Sequence, residues 1–408
     1  GETGRIVPVG DAGALAEAIV DLIAHPEKRE AVRVAARKAV RRLPGKSDYF
    51  GAAGALFRRL RPKLCYVLPS YREDDGTHFA YQARFIREVA KEYDVRLILG
   101  RGAPLRDLGV RNVFTAEARS AAGRFALMAY RLIGARLAGY RMFYVHYSFF
   151  AAFLAKVFQG RVYYWNCGEP WKYRRNIFRE AFERSTYRVI DTLVTGTEGL
   201  KQAYASHYRI PTSRISVMPN WVSEEQFGNR VTQDVRRSLR RSLGIAPEAK
   251  VVLFVHRLSK RKGAHYLPEI LAKLGDRNAV FVVAGEGPEK ESLQLAIKKL
   301  KLEERIRFVG SVPNRELGTY YAAADVFLMP SDEEGFPHAL LEAMLFGLPF
   351  AAAGVGGVRD IVPRAMYDGV ILPGDTDRFA ARLDELLRLP ESARRSAGEI
   401  LREQALRY

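Results

Sequence analysis

Two glutamates eight residues apart, Glu334 and Glu342, could serve one ligand together. An ionised carboxylate has two acceptor oxygens, which suit two neighbouring hydroxyls. Asp325 to Met329 reads as a buried parallel strand, Pro330 to Pro337 as loop, and Ala339 to Phe346 as a helix closed by Gly347. A strand, a loop and a helix N-terminus together favour a phosphate-bearing ligand. Glu334 falls in the loop at the mouth, and Glu342 is roughly 2.2 helical turns further on. Helix phase alone does not put both on one face, so they serve one ligand only if the loop folds back over the helix. Without a ligand, Glu334 reads as a solvated loop charge and Glu342 as an early helix residue favoured by the dipole.

Cations precede this pair. His256-Arg257-Leu258-Ser259-Lys260-Arg261-Lys262-Gly263 follows a strand over Val251 to Val255. Arg257 and Lys262 are either a solvated basic loop or two fixed cations for an anionic ligand. His146 ends a strand over Met142 to Val145. At the C-terminal end of a parallel strand it either faces the cleft or is a hydrogen-bonded core histidine. Gly76, in the loop from Pro69 to His78, allows close backbone approach to a ligand or simply makes a turn. The aromatic and basic run Asn166 to Arg175 suggests a pocket whose rings stack on a sugar, or ordinary packing.

The second glutamate lies eight after the first, with Gly335-Phe336-Pro337 following Glu334 and Glu342-Ala343-Met344 at the other end. This pattern resembles the signature of family 4 glycosyltransferases, which are retaining enzymes. The resemblance implies an α/β chain of the GT-B fold, two Rossmann-like doubly wound domains facing across a cleft. It implies that Glu342 binds the ribose of a nucleotide, while Glu334, Gly335 and Phe336 lie by the donor sugar. Arg257 and Lys262 would neutralise the donor diphosphate, and backbone around Val312 would read the base. Gly76 would face the phosphate across the cleft. His146 would stand near the anomeric centre or the acceptor hydroxyl. The chain departs from the pattern at His256, where the family has glycine, at the lone Gly76, where it usually has two, and after Val162 to Trp165. The implied function is retaining transfer from a nucleoside diphosphate sugar to a saccharide or lipid-linked acceptor, in cell-envelope glycan synthesis. The donor is then a substrate, no cofactor is expected, and no metal is expected because no Asp-x-Asp signature appears. A GT-B sugar-nucleotide isomerase and a non-catalytic partner module are the alternatives.

The rest of the chain must position these groups. At 408 residues with 48% hydrophobic content it should build two to three domains. Short apolar runs alternate with helical patterns, the sign of parallel doubly wound sheets. The expected boundaries are 61–225 for an acceptor domain and 226–408 for a donor domain. Residues 1–60 repeat a later stretch: Gly10, Asp11, Ala16, Pro26 and Glu27 meet Gly374, Asp375, Ala380, Pro390 and Glu391. They read as the tail of a preceding glycosyltransferase module, or as a structural copy in which Ser47 to Leu60 replaces a final helix, or as an unrelated helical extension. Glu224 to Ala249, rich in arginine, reads as linker and solvated helix.

A formal net charge of +19 attracts anions. No nucleic-acid motif appears, so an anionic membrane surface is the better match than nucleic acid. Ala121 to Ala138 reads as a helix with Arg124, Arg131 and Arg136 on or beside its polar face, lying on a membrane or on the sheet. No run is long and apolar enough to span a bilayer, and no charged-then-apolar leader opens the chain. The two cysteines, Cys65 and Cys167, fit a reducing compartment. The expected place is the cytoplasm, with peripheral contact at the inner face of the membrane.

Overall fold

The computed structural model describes residues 4–5, 7, 11–40, 61–70, 80–102, 108–110, 112–172, 176–222, 227 and 233–408. Contacts divide the chain into two compact units, Gly1–Pro62 with Glu92–Asp94, and Lys63–Lys91 with Val95–Tyr408. The first unit contains helices α1 (Ala12–Ala24) and α2 (Pro26–Val40). Asp11 caps α1 by accepting from the Ala14 amide at 2.9 Å. The segment Ser47 to Leu60 lies outside the described residues.

The second unit holds two sheets. The first has strands β1 (Lys63–Leu68), β2 (Asp94–Leu99), β3 (Asn112–Thr115), β4 (Met142–His146), β5 (Arg161–Trp165), β6 (Thr192–Thr195) and β7 (Ile215–Val217). Their order is β3-β2-β1-β4-β5-β6-β7. Helices α3 (Ala80–Glu92), α4 (Ala121–Leu137), α5 (Phe149–Val157), α6 (Ile177–Val189) and α7 (Glu198–Tyr208) join them. The second sheet has β8 (Val251–Val255), β9 (Val280–Ala284), β10 (Ile306–Gly310), β11 (Val326–Met329), β12 (Phe350–Ala353) and β13 (Val370–Ile371), in the order β10-β9-β8-β11-β12-β13. Its helices are α8 (Gln233–Ser242), α9 (Leu267–Lys273), α10 (Lys290–Lys299), α11 (Asn314–Ala323), α12 (His338–Leu345), α13 (Val358–Ile361), α14 (Thr376–Leu387) and α15 (Glu391–Ala405).

Strands β8, β9, β11 and β12 are buried along their whole length. Helices cover both faces of such a sheet, so the strands read as apolar runs without alternation. In each sheet the chain order reverses beside the first strand, between β1 and β4 and between β8 and β11. That reversal leaves a crevice at the carboxyl ends of these strands, where ligands of doubly wound sheets bind. His146 ends β4, His256 to Lys262 follows β8, and Pro330 to Pro337 follows β11.

Helix α8 corrects the expectation of a solvated linker. Arg236 and Arg240 both reach Asp325, at 2.7 and 2.5 Å, and Asp325 also accepts from the Val251 amide at 2.8 Å. Arg394 of α15 stands 3.7 Å from the same carboxylate. Burial pushes the Asp325 carboxyl up, but Arg240, the Val251 amide and Arg236 outweigh it and hold the group below its ordinary value. Only the outer residues of α8, such as Arg237, are solvated.

Candidate active site

The loop after β11 is packed between two other loops. A side chain on Gly335 would collide with the Cys167 carbonyl of the loop after β5. Glycine therefore lets the two halves of the second unit meet backbone to backbone. Gly356, at φ +54°, packs on the Glu334 carbonyl, and the Gly357 amide donates to the Gly335 carbonyl at 3.1 Å. Behind the loop, Gly263, at φ +70°, packs against the Pro330 carbonyl.

Glu334 is buried. Lys262 Nζ donates to its Oε2 at 2.6 Å, and Ser331 Oγ donates to its Oε1 at 2.8 Å. His256 Nε2 is 3.4 Å from Oε1. Burial pushes the Glu334 carboxyl up, yet the neighbouring Lys262 charge leads the opposing effects and holds it below its usual value. The same burial lowers His256 to about 4, so its imidazole is neutral near pH 7. A neutral side chain therefore occupies the place of the expected family glycine. Arg257 is exposed, while its neighbour Arg261 lines the cavity with Lys262.

That cavity, of about 600 Å³, lies between the halves. Arg261, Lys262 and Glu333 to Phe336 form one wall. Tyr147, Phe149, Tyr164, Trp165 and Asn166 to Gly168 form much of the other. Burial pushes the Cys167 thiol up to about 12, so this cysteine is a neutral part of the wall.

Glu342 is buried on α12, and Tyr321 of α11 donates its hydroxyl to Oε2 at 2.7 Å. Glu342 is not in the wall of the 600 Å³ cavity, and neither is Val312, which is buried beyond the end of β10. His146 ends β4 as expected, but it lies in a small adjoining aromatic cavity. It meets the Tyr66 hydroxyl at 2.9 Å and Gln82 Nε2 at 3.1 Å, and stacks on Trp165 with ring centres 4.9 Å apart. Trp165 and Asn220 border both cavities. Trp171 lies away from the pocket, packed on Tyr204 and His207. Gly76 and the run Tyr173 to Arg175 lie outside the described residues.

The structure thus brings together Glu334, Gly335, Phe336 and Lys262; His146 lies in the adjoining cavity and Glu342 in the wall of neither, each bonded to a tyrosine hydroxyl. Sequence reasoning missed Tyr147, Tyr321 and Arg179. Tyr147 had one usable signal, its place directly after His146 at a strand end. Its φ of +52° is uncommon for a residue other than glycine.

Residues 235–403 match the family model described as "Glycosyl transferases group 1". The 2-deoxystreptamine glucosyltransferase of Streptomyces kanamyceticus is 32% identical over 213 residues, 52% of this chain and 54% of that protein. The chain spans about half the length of the curated relatives it matches. Among solved structures, Anabaena HepE in complex with UDP and glucose superposes with a TM-score of 0.70 at 20% identity, over 85% of this chain and 94% of that one. WaaG, a glycosyltransferase involved in lipopolysaccharide biosynthesis, superposes with a TM-score of 0.63 at 19% identity, over 85% and 94%. The fold is that of these GT-B proteins, two Rossmann-like sheets with a crevice between them.

Proposed function

We propose that this chain, which carries a group 1 glycosyltransferase domain over residues 235–403, is a retaining enzyme. It would move a sugar from a nucleoside diphosphate to a saccharide or lipid-linked acceptor in cell-envelope glycan synthesis, at the cytoplasmic face of the membrane. The observation that carries this reading is the buried Lys262–Glu334 pair, 2.6 Å apart, facing an aromatic wall at the carboxyl ends of both sheets.

The pair suggests how a donor enters. A diphosphate arriving at Lys262 competes with Glu334 for the ammonium. Once displaced, Glu334 offers its oxygens to the hydroxyls of the transferred sugar. Arg257, exposed at the same loop, adds a second cation, and Glu342 holds the ribose once Tyr321 shares its carboxylate. The bond from the anomeric carbon to the diphosphate oxygen breaks as the acceptor oxygen bonds that carbon from the same face. The acceptor proton passes to the leaving phosphate. The cations stabilise the charge gathered there, so the reading requires neither a cofactor nor a metal ion. Tyr147 and Trp165 offer ring faces and edges to the acceptor. His146 orients Trp165 by stacking on it. Relatives and structural neighbours named as sugar transferases support the reaction class, and HepE bound to UDP makes uridine the first base to test.

The test is a thermal-shift panel of uridine, guanosine and adenosine diphosphate sugars, with Lys262→Ala as control. One donor should stabilise the protein and fail to stabilise the variant. The anomeric configuration of the product, read by NMR, then decides retention. Conversion of the donor without any acceptor would point to an isomerase. A folded protein stabilised by no donor would point to a partner module.

A further inference from the structure

Helix α4 breaks the rule that a surface helix turns its polar side outward. Its inner face is apolar, with Met128, Leu132 and Ala135 buried. Yet every residue it exposes is also apolar or aromatic: Ala121, Ala122, Phe125, Ala126, Tyr130, Ile133 and Leu137. Tyr130 is 66% exposed and Leu137 84%. Helix α10, on the other sheet, shows the ordinary arrangement and exposes Glu291, Lys298 and Lys299. A continuous apolar stripe on a surface marks a contact.

The charges around the stripe indicate the kind of contact. Arg124, Arg131 and Arg136 flank it, each half-buried and held by a backbone carbonyl, of Ala118, Thr115 and Phe158. Neither α4 nor the adjacent α5 contains an acidic residue. Two copies meeting through this face would set arginines against arginines, whereas a sheet of lipid phosphates answers all three at once. Aromatic and aliphatic side chains between cations match the boundary between headgroups and acyl chains.

We propose that α4 is the surface by which this chain lies on an anionic lipid bilayer. Tyr130, Ile133 and Leu137 enter the headgroup boundary, and the three arginines bind lipid phosphates. The stripe leads toward the cleft. Phe125 packs edge-on against Phe150 at 4.6 Å, and the preceding residue, Phe149, lines the 600 Å³ cavity. Ile177 and Phe178, 83% and 86% exposed at the start of α6, lie just before Arg179, another residue of that cavity. A docked chain therefore holds the cavity near the plane in which a lipid-linked acceptor resides. The purpose of docking rests on the acceptor proposed above, but the docking itself does not, because vesicle binding needs neither donor nor transfer.

The experiment is co-sedimentation of the full chain with vesicles of phosphatidylcholine alone and of phosphatidylcholine mixed with phosphatidylglycerol, at low and high salt. The chain should pellet with the mixed vesicles, less at high salt, and stay in solution with phosphatidylcholine alone. Tyr130→Ser combined with Ile133→Ser and Leu137→Ser should lower the partition about tenfold or more, with melting temperature as the check on folding. If that variant does not fold, Leu137→Ser alone, at the most exposed position, should still lower it measurably. A wild-type chain left in solution at low salt would overturn the proposal, as would a folded triple variant that pellets like wild type. A wild-type dimer without vesicles that the triple variant turns into a monomer would also overturn it, by making the stripe a protein seam.

Discussion

The two halves of the second unit share a strand order up to the sixth strand, yet they bring opposite chemistry to the cavity. The half with β8 contributes charge: Arg261, Lys262, Glu333 and Glu334, with Lys262 and Glu334 paired and largely buried. The half with β1 contributes rings, Tyr147, Phe149, Tyr164 and Trp165, with Arg179 as the cation in its wall. Opposite charges in a low-dielectric site fix a ligand by distance and angle. Rings fix it by shape and tolerate many sugars. Under the function proposed above, the difference teaches that a donor held by the charged wall tolerates little change in residue type, whereas an acceptor held by the ring wall leaves room for variation on the same scaffold.

The strongest way to break this comparison is to remove charge in the first of these halves away from the cavity. Asp325→Asn leaves three guanidiniums facing a neutral amide. It should cost about 3–5 kcal/mol of stability, measured by urea unfolding. A loss like that of an exposed charge would mean the buried charges of this half are not structural. Next, Lys262→Ala should lower transfer by about 10²–10³-fold, while acceptor binding alone, followed by calorimetry, stays unchanged. Tyr147→Ala should do the reverse. It should raise the acceptor KM by about tenfold and leave the donor Kd in place. If both variants changed both ligands equally, the division of labour between the walls would fall.

The smallest effect concerns pH. Burial holds His256 at about 4, below the ordinary value of 6.5. Between those values the unfolded chain binds a proton that the folded chain refuses, so stability should fall as pH drops from 6.5 toward 4. The carboxyls of Glu334 and Asp325, held below their ordinary values, add losses in more acid solution, as pH falls through their folded pKa values. His256→Gln should flatten the first part of the slope, read from melting temperatures across that range. An unchanged slope would place the titration elsewhere.

Most strands of both halves were legible in sequence. Val251 to Val255 coincides with β8, because a strand buried on both faces is a continuous apolar run. The loop with Glu334 was legible from spacing and glycines. Strand β3 was not foreseen: it is four residues long, half-buried and at the sheet edge, which leaves almost no apolar pattern. The partner of Glu342, Tyr321, lies 21 residues away on another helix, a pairing that only the folded chain creates. Arginines misled twice, for a similar reason. Those of α8 turn inward to a buried carboxylate, and those of α4 turn sideways to backbone carbonyls, so the polar face expected there is an apolar stripe. Burial of a long basic side chain depends on partners that periodicity does not reveal.

The repeat at the start of the chain is similarly instructive. Asp11 and Asp375 cap α1 and α14 with the same bond, each accepting at 2.9 Å from the amide three residues on. Yet α14 buries Phe379, Leu383 and Leu386 against the second sheet, while α1 leaves Leu15, Val20 and Ile23 exposed. Capping is local and survives in both copies; burial is supplied by whatever lies beneath.

The Asp325 cluster has a mechanical consequence. One carboxylate ties the helix that enters the second sheet, through Arg236 and Arg240, to strand β8 and to the final helix through Arg394. The final helix is also anchored by Gln404 to the Ile361 carbonyl. Entry helix, sheet and exit helix are therefore tied together at one buried carboxylate. Lys262 and Glu334 follow β8 and β11 of that same sheet, so the two ends of their 2.6 Å bond come after the strand this carboxylate anchors and the strand beside it.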